Sequence, residues 1–492
     1  MKLQEQLDNV INNFKINLNE FIKPFFIISI IYLLGYSTIL KSNFFYIDDI
    51  GRSYYGYRGW ENFSRFTSNF LSKYLHMQGK LTDIAPLTQI IAIAILAISG
   101  IIILYVFTDR KKYTITEYFS ILFIGFCPFF LECISYRFDA PYMALSILAS
   151  VFPMLFFKKN KYLLIVIIVL STLVMCTTYQ AASGIFPMIV IMYSLIELQN
   201  NKSVKEIIKF CILTSGAYIL GLIIFKFFIM VPVDEYVSNN IPNTQEIFSI
   251  LFSNYKKYFE IIFHNFKSLW LKLILIVDII FILTYIYNSK INKIICFFIA
   301  VVGLILINLA SFGLYPLLTQ PLFASRAMYG FGINISLIIV YIAINNKNYF
   351  SKIIIYILFW IFFTFSFTYG NALYQQKKYQ EFRMKLLINS LVKNNVLDGK
   401  QKKIQIKGNV GHAPVLREKG KNPKILYMLV PVTFGDTNWI WNWLEFILYY
   451  NLKNLQVDNT VENKEKNMKI IEENIYQTIK TSENYILINL YE

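Results

Sequence analysis

Charge is what this chain has least of. Only 16% of its 492 residues are Asp, Glu, Lys or Arg, against 56% hydrophobic and 17% aromatic. A chain of that make-up dissolved in water would expose too much apolar surface, so lipid is the expected solvent for much of it. Cysteine and histidine are scarce as well. The five cysteines (Cys127, Cys133, Cys176, Cys211, Cys296) fall in or beside apolar runs, none in the polar tail, and His76, His264 and His412 lie far apart. No pair has zinc spacing, which argues against a disulfide framework and against a His/Cys metal centre. No GxGxxG or Walker pattern occurs, so no nucleotide-binding signature is present. The net charge of +17 is dispersed between apolar blocks and forms no basic stripe. It reads as membrane topology and anionic-lipid contact, with no nucleic acid as partner.

What is abundant is hydrophobic sequence in long runs. A membrane-crossing helix takes about 20 mostly apolar residues. About eleven runs are candidates: 24–40, 85–107, 117–131, 140–157, 162–176, 184–198, 207–230, 269–287, 294–309, 326–344 and 353–367. The first follows a charged stretch with no A-x-A site after it, as a retained anchor does. Lys and Arg gather in the loops 110–112, 158–161, 202–209, 290–293 and 347–352. These alternate with loops 41–84, 132–139, 177–183, 231–268 and 310–325, which places the basic set in the cytoplasm and the other outside. The expected architecture is mainly α: a polytopic helical bundle with the N-terminus inside and the C-terminus outside. Residues 1–370 would form the membrane domain and 371–492 a small extracytoplasmic α/β domain. In that tail, helices are expected at 375–395, 439–450 and 461–481, and strands at 403–407, 424–432 and 485–491. Segments 60–77 and 247–266 read as amphipathic helices, lying in the headgroup layer or packed on the bundle.

Because charges are few, their positions carry information. The outer loops hold Asp48, Asp49 and Arg52 just beyond the first run, Asp83 at the end of the same loop, and Glu132, Arg137 and Asp139 in the second. Tyr179 and Gln180 sit in the third and Arg326 follows the fifth. Sugar transfer to a hydroxyl needs a carboxylate to take the acceptor's proton. It also needs positive charge on a departing phosphate, which the planar fork of Arg supplies with two bonds at once. Nucleotide sugars are cytoplasmic, and these acids are expected on the other side. The donor that fits is a lipid-phosphate sugar entering sideways from the bilayer.

The run Tyr46-Ile47-Asp48-Asp49-Ile50-Gly51-Arg52 with Gly56 and Gly59-Trp60, followed by Asp83-Ile84-Ala85-Pro86-Leu87-Thr88-Gln89, resembles the type II glucosyltransferase family, whose members modify O-antigen and related surface glycans. Leu131-Glu132 with Ser135-Tyr136-Arg137-Phe138-Asp139-Ala140-Pro141-Tyr142 is similar to that family's second signature. Tyr179-Gln180, Arg326 with Tyr329-Gly330, and Tyr369-Gly370-Asn371-Ala372 with Gln375 also fit. The resemblance covers the membrane region well and the tail weakly. It implies a C-type glycosyltransferase fold in the bacterial inner membrane, with an undecaprenyl-phosphate-glucose donor, inversion at the anomeric carbon and an acceptor such as O-antigen or teichoic acid. It also implies, as companions, a donor-synthesising transferase and a flippase. By the same resemblance an acid of the first outer loop is the base, Asp48 or Asp49, a choice the match leaves open. Arg52, Arg137 and Arg326 would hold the donor phosphate, and Asp83, Asp139, Tyr136, Tyr179, Gln180 and Tyr329 would contact substrate. No cofactor is expected. A divalent ion at Asp48 and Asp49 is the weaker reading, because adjacent residues seldom both reach one ion.

Each of these residues has a plainer alternative. Asp48 and Asp49 would cap a helix or turn, and so would Asp83 and Asp139, each two or three residues before a proline. The arginines would anchor helix ends at the interface, and Tyr179 and Gln180 would close a hairpin. Two other functions compete, a lipid-linked glycan flippase and a non-catalytic scaffold for the tail. A flippase calls for ionisable residues along a midplane path and an inverted repeat, neither of which stands out. A scaffold has no use for the acid–arginine sets.

Overall fold

The computed structural model describes residues 18–110, 112–231, 242–243, 245–418 and 423–492. The charged N-terminal stretch before residue 18, Lys111 of the first basic loop, residues 232–241 and 244 of the loop expected outside, and residues 419–422 lie outside them.

Most of the apolar runs are helices. In order these are α1 (Leu18–Ser42), the short α2 (Asp49–Tyr55), α3 (Phe66–His76), α4 (Leu87–Thr108), α5 (Ile115–Phe126), α6 (Pro128–Ser135), α7 (Ala140–Val151), α8 (Lys161–Cys176), α9 (Ile185–Gln199), α10 (Val204–Ile224), α11 (Ile247–Asn265), α12 (Ser268–Asn288), α13 (Lys293–Ala310), α14 (Gly330–Asn345) and α15 (Tyr349–Lys393). Among the described residues seven helices are long and apolar enough to cross a membrane. The pair α5–α6, bent by 61°, makes an eighth candidate, and three shorter apolar helices sit at Ala140–Phe156, Lys161–Cys176 and Gly330–Asn345. Local chemistry sets several of their boundaries. Thr114 and Glu117 form a capping box at the start of α5. Pro128 keeps Cys127 out of the helical region (ψ 131°), which makes the bend. Side chains of Asn160, Ser203, Asn292 and Asn348 cap α8, α10, α13 and α15 from the loops read as basic.

Segment 60–77 is not one helix. A 3-10 turn, Trp60–Phe63, ends at Ser64 in the left-handed region (φ 58°), and α3 starts afresh at Phe66. The apolar spacing was continuous across that break, so periodicity alone did not reveal it. The second amphipathic segment is α11, which buries Asn254, Tyr258 and Ile262 and exposes Phe248, Phe252 and Phe263.

The expected helices at 353–367 and 375–395 are one element. Helix α15 runs 45 residues, about 68 Å at 1.5 Å per residue. Nothing stops it at Gly370, which is there because a Cβ would lie 2.4 Å from the Ile39 nitrogen of α1. Its far end lays Met384, Leu387 and Leu391 under a second hydrophobic core. That core is completed by β1 (Lys402–Lys407), α17 (Leu444–Tyr449), β2 (Leu455–Val457), β3 (Lys469–Glu473), β4 (Gln477–Thr481) and β5 (Tyr485–Leu490), while the short α16 (Ile425–Leu429) between β1 and α17 packs into the first core. The sheet order is β2-β1-β5-β4-β3, with β1 parallel to both β2 and β5 and the β5–β4–β3 edge antiparallel. Arg383, fully buried on α15, binds the carbonyls of Tyr476 and Tyr491 at 2.7 Å each and ties the helix to the sheet.

Three expectations in the tail need correction. The apolar run 424–432 holds the helix α16, not a strand, and Ile425, Leu426 and Leu429 join the core of the membrane bundle. A short apolar run does not by itself distinguish a strand from a buried helix. The segment 461–481 is a 3-10 turn, Val461–Asn467, followed by the β3–β4 hairpin. The hairpin is turned by Asn474, whose side chain accepts from Tyr476 N and Gln477 N. Residues 439–450 divide into a 3-10 turn, Ile440–Asn442, and α17.

The bundle packs backbone against backbone at Gly184, where a Cβ would stand 1.8 Å from the Ala310 carbonyl oxygen; Gly216 meets nothing within 4 Å. Gly184→Ala is therefore expected to cost about 1–3 kcal/mol through forced displacement. A thermal melt in detergent should fall for this variant and not for Gly216→Ala.

Candidate active site

The loop after α1 turns sharply at Ile47, whose φ of 50° is one a β-branched residue rarely adopts. The turn sends the two neighbouring aspartates to different partners. Asp49 is fully buried; its Oδ2 accepts from Tyr46 N at 2.9 Å, and its two oxygens accept from Arg137 N at 3.2 and 3.1 Å. Asp48 remains 21% exposed at its side chain and meets Arg52, one helical turn on, at 2.9 Å. Gly56, left-handed at φ 69°, then closes α2 by donating to the Arg52 carbonyl.

Arg52 is the hub of the arrangement. One nitrogen faces Asp48 and the other lies 2.8 Å from Asp139 Oδ2. The guanidinium sits 4.5 Å over the Trp60 ring, and Trp60 Nε1 donates to Asp139 Oδ1. Two further pairs flank this hub. Arg137 holds Asp83 at 2.6 Å and Asn43 Oδ1, and covers the Phe45 ring at 4.6 Å. Arg326 binds Glu132 through its side chain at 2.6 Å and its backbone N–H at 2.9 Å.

Burial pushes the Asp48 carboxyl up, and Arg52 opposes that. Asp49 is raised well above the ordinary carboxylate range by burial and then by the charge of Asp48, against the two backbone N–H groups. Burial works against the charge on Arg52, but Asp139 and Asp48 outweigh it, so the guanidinium is held protonated.

The acids therefore converge across two loops. One ligand atom each from Asp48, Asp49 and Asp139 lies within 4.8 Å of the others, a set whose composition suits a divalent cation. As a cation site the sequence offers only the adjacent pair, because Asp139 lies in a different loop and nothing along the chain links it to them. The capping alternative is not realised at Asp48 or Asp139, neither of which makes a side-chain cap hydrogen bond, although both stand at N-cap positions. It is realised in part at Asp83, which accepts from Ala85 N at 3.1 Å.

The aromatic candidates are packed. Tyr136 lies 4.8 Å from Tyr46. Tyr329 is fully buried against Ser146 (2.9 Å) and stacks on Tyr179. Gln180 ties the segment between α8 and α9 to the loop after α1, donating to the Phe63 carbonyl at 2.8 Å and accepting from Arg65 Nε at 3.3 Å. Residues without an assigned role in the sequence reading are Trp60, Asn43, Glu132 and Arg65. For Glu132 the signal was an acid at the end of a long apolar run. The tail also reaches the site: a Cβ on Gly51 would lie 3.0 Å from Trp441 and 3.3 Å from Leu444, and the hydroxyls of Tyr46 and Tyr369 donate to the Leu429 carbonyl.

Apolar helices long enough to cross a membrane, with buried acid–arginine pairs between the loops that join them, define the class: a membrane protein of many helices. A model of the GtrII glucosyl transferase family matches residues 36–337, and the chain belongs to that family. The matched stretch contains every residue of the network, from Asn43 to Arg326. The chain is also 28% identical over 218 residues to a Salmonella phage P22 protein described as an uncharacterized 55.3 kDa protein in the gtrB 5′ region. That similarity spans 44% of each chain, so less than half of the relative's length is covered. No solved structure matches.

Removing Arg137 would strand Asp83 and loosen the loop that carries Asp49. Discounted for the partial exposure of Asp83, Arg137→Met should cost about 2–4 kcal/mol. Differential scanning in detergent checks this, and a wild-type melting temperature would contradict it.

Proposed function

We propose that this glucosyl transferase takes a glucosyl unit from undecaprenyl-phosphate-glucose and passes it to a hydroxyl of a surface glycan. The proposed reaction occurs at the outer face of a bacterial inner membrane, with inversion, and Asp48 is the base. The observation that carries the choice of base is the division of labour between the two aspartates. Asp49 uses both oxygens on backbone N–H groups, whereas Asp48 keeps an exposed edge and one side-chain partner.

In the proposed step the acceptor oxygen attacks the anomeric carbon and its proton passes to the Asp48 carboxylate. The bond from that carbon to the phosphate oxygen breaks, its electron pair leaving with undecaprenyl phosphate. Arg52 holds Asp48 in place and lowers the cost of its charge. The step is read as metal-independent, because the Arg52 guanidinium already supplies positive charge between Asp48 and Asp139. Asp83, Arg137, Glu132 and Arg326 position the loops around the reacting groups. A C-type architecture with eleven spans is part of this reading, as are the donor-synthesising transferase and the flippase that would deliver the donor. So is the tail from residue 371 as an outer unit that approaches the acceptor side through Trp441.

Proteoliposomes supplied with undecaprenyl-phosphate-glucose and a glycan acceptor test the chemistry. Asp48→Asn should lower transfer by about 10²–10⁴-fold without loss of protein, and a chelator should leave the wild type active. Since the Asp48 carboxyl is raised, the base is lost as pH falls, at a pH above the ~4 of an ordinary carboxylate. Full activity in Asp48→Asn would remove it as the base, and lipid translocation without transfer would favour a flippase.

Orientation is tested separately. A membrane-impermeant maleimide should label Tyr449→Cys on intact cells, and Lys159→Cys only after permeabilisation. The reverse pattern would overturn the choice of donor.

A further inference from the structure

The three arginines read from sequence as phosphate ligands each face a carboxylate already: Arg52 faces Asp48 and Asp139, Arg137 faces Asp83, and Arg326 faces Glu132. Arg65 differs. Its guanidinium lies 4.9 Å from the Phe63 ring centroid and 4.4 Å from that of Tyr179, donates to Gln180, and among the described residues makes no salt bridge. It lines a crevice of about 340 Å³ whose other walls include Phe63, Gln180, Phe225, Lys226 and Leu318. Lys226, the second cation there, also has no salt bridge among the described residues. It belongs to a one-turn π-helical segment, Phe225–Ile229, that ends α10, and such single turns recur at functional sites.

The crevice is therefore an apolar slot with two cations on its wall, which is complementary to an anion carried on a hydrocarbon chain. It is joined to the acid network by one 3-10 turn. Trp60, at the start of that turn, donates to Asp139, and Phe63, at its end, lines the slot. At ~2 Å per residue the two are separated by roughly 6 Å along the turn. We propose that this slot seats the polyprenyl phosphate. Arg65 and Lys226 hold the phosphate, the first isoprene units lie along Phe225 and Leu318, and the sugar projects past Trp60 toward Asp48. The proposal rests on the donor reading above and assigns the phosphate to residues other than the three arginines first expected.

The test measures binding apart from transfer. The full chain in nanodiscs is titrated with undecaprenyl phosphate and with undecaprenol, and bound lipid is counted by native mass spectrometry. The wild type should prefer the phosphate. Arg65→Gln and Lys226→Gln should each weaken phosphate binding by about tenfold, the size of one lost charge-assisted hydrogen bond, and leave undecaprenol binding unchanged. Arg65→Lys, which keeps the charge but not the fork, should fall between wild type and Arg65→Gln, and Asp48→Asn should bind as wild type. Wild-type affinity in both Gln variants would overturn the slot while leaving the donor reading standing. Equal displacement by phosphatidylglycerol would make the slot an ordinary lipid groove and overturn the proposal. A wild type that binds the phosphate no better than undecaprenol would sink the donor reading and this proposal together.

Discussion

Arg52 between Asp48 and Asp139 is the contact on which the rest of the site depends. Taking any of these three ions out of water alone would cost several kcal/mol, and breaking a buried pair costs nearly as much, because the partner's charge is left behind. With Arg52 in the middle, two carboxylates converge where mutual repulsion would otherwise part them. Trp60 adds a ring face to the cation and an N–H to Asp139, so one aromatic residue serves both charges. The arrangement brings the start of α2, the Trp60–Phe63 turn and the start of α7 to a single place.

The neighbouring pairs repeat the device with other loops. Arg137 joins the loop before α7 to the end of the loop before α4 through Asp83, and its backbone N–H orients Asp49. Glu132 and Arg326 bring in the approach to α14. Each pair joins segments far apart in sequence, so this end of the bundle is held by charge while its body is held by apolar packing. That division suits a protein in lipid, where burying apolar side chains between helices brings little hydrophobic gain but an unpaired charge is costly.

The tail is not a separate appendage. Helix α15 enters both hydrophobic cores without interruption, α16 is buried in the membrane bundle, and Trp441 and Leu444 rest on α2 beside the acids.

Composition, run length and the few charges beside apolar runs were enough to mark a membrane protein of many helices and to pick out Asp48, Asp49, Arg52, Arg137, Asp139 and Arg326. In a chain so poor in charge, every acid beside an apolar run stands out, and helix existence follows from local hydrophobicity. The break between α5 and α6 is set locally by Pro128, yet it falls inside the run 117–131 that was expected to be continuous. The partners were not set locally. That Asp49 faces two backbone N–H groups while Asp48 faces Arg52 depends on the Ile47 turn, and Trp60 meets Asp139 only because loops 79 residues apart come together. The strand expected at 424–432 became a helix because the core of the bundle, rather than the sheet, was there to bury it. Which residues are charged was a property of the sequence; which charges cancel one another was decided by the tertiary structure, because ion pairing acts across space and leaves no periodic trace along the chain.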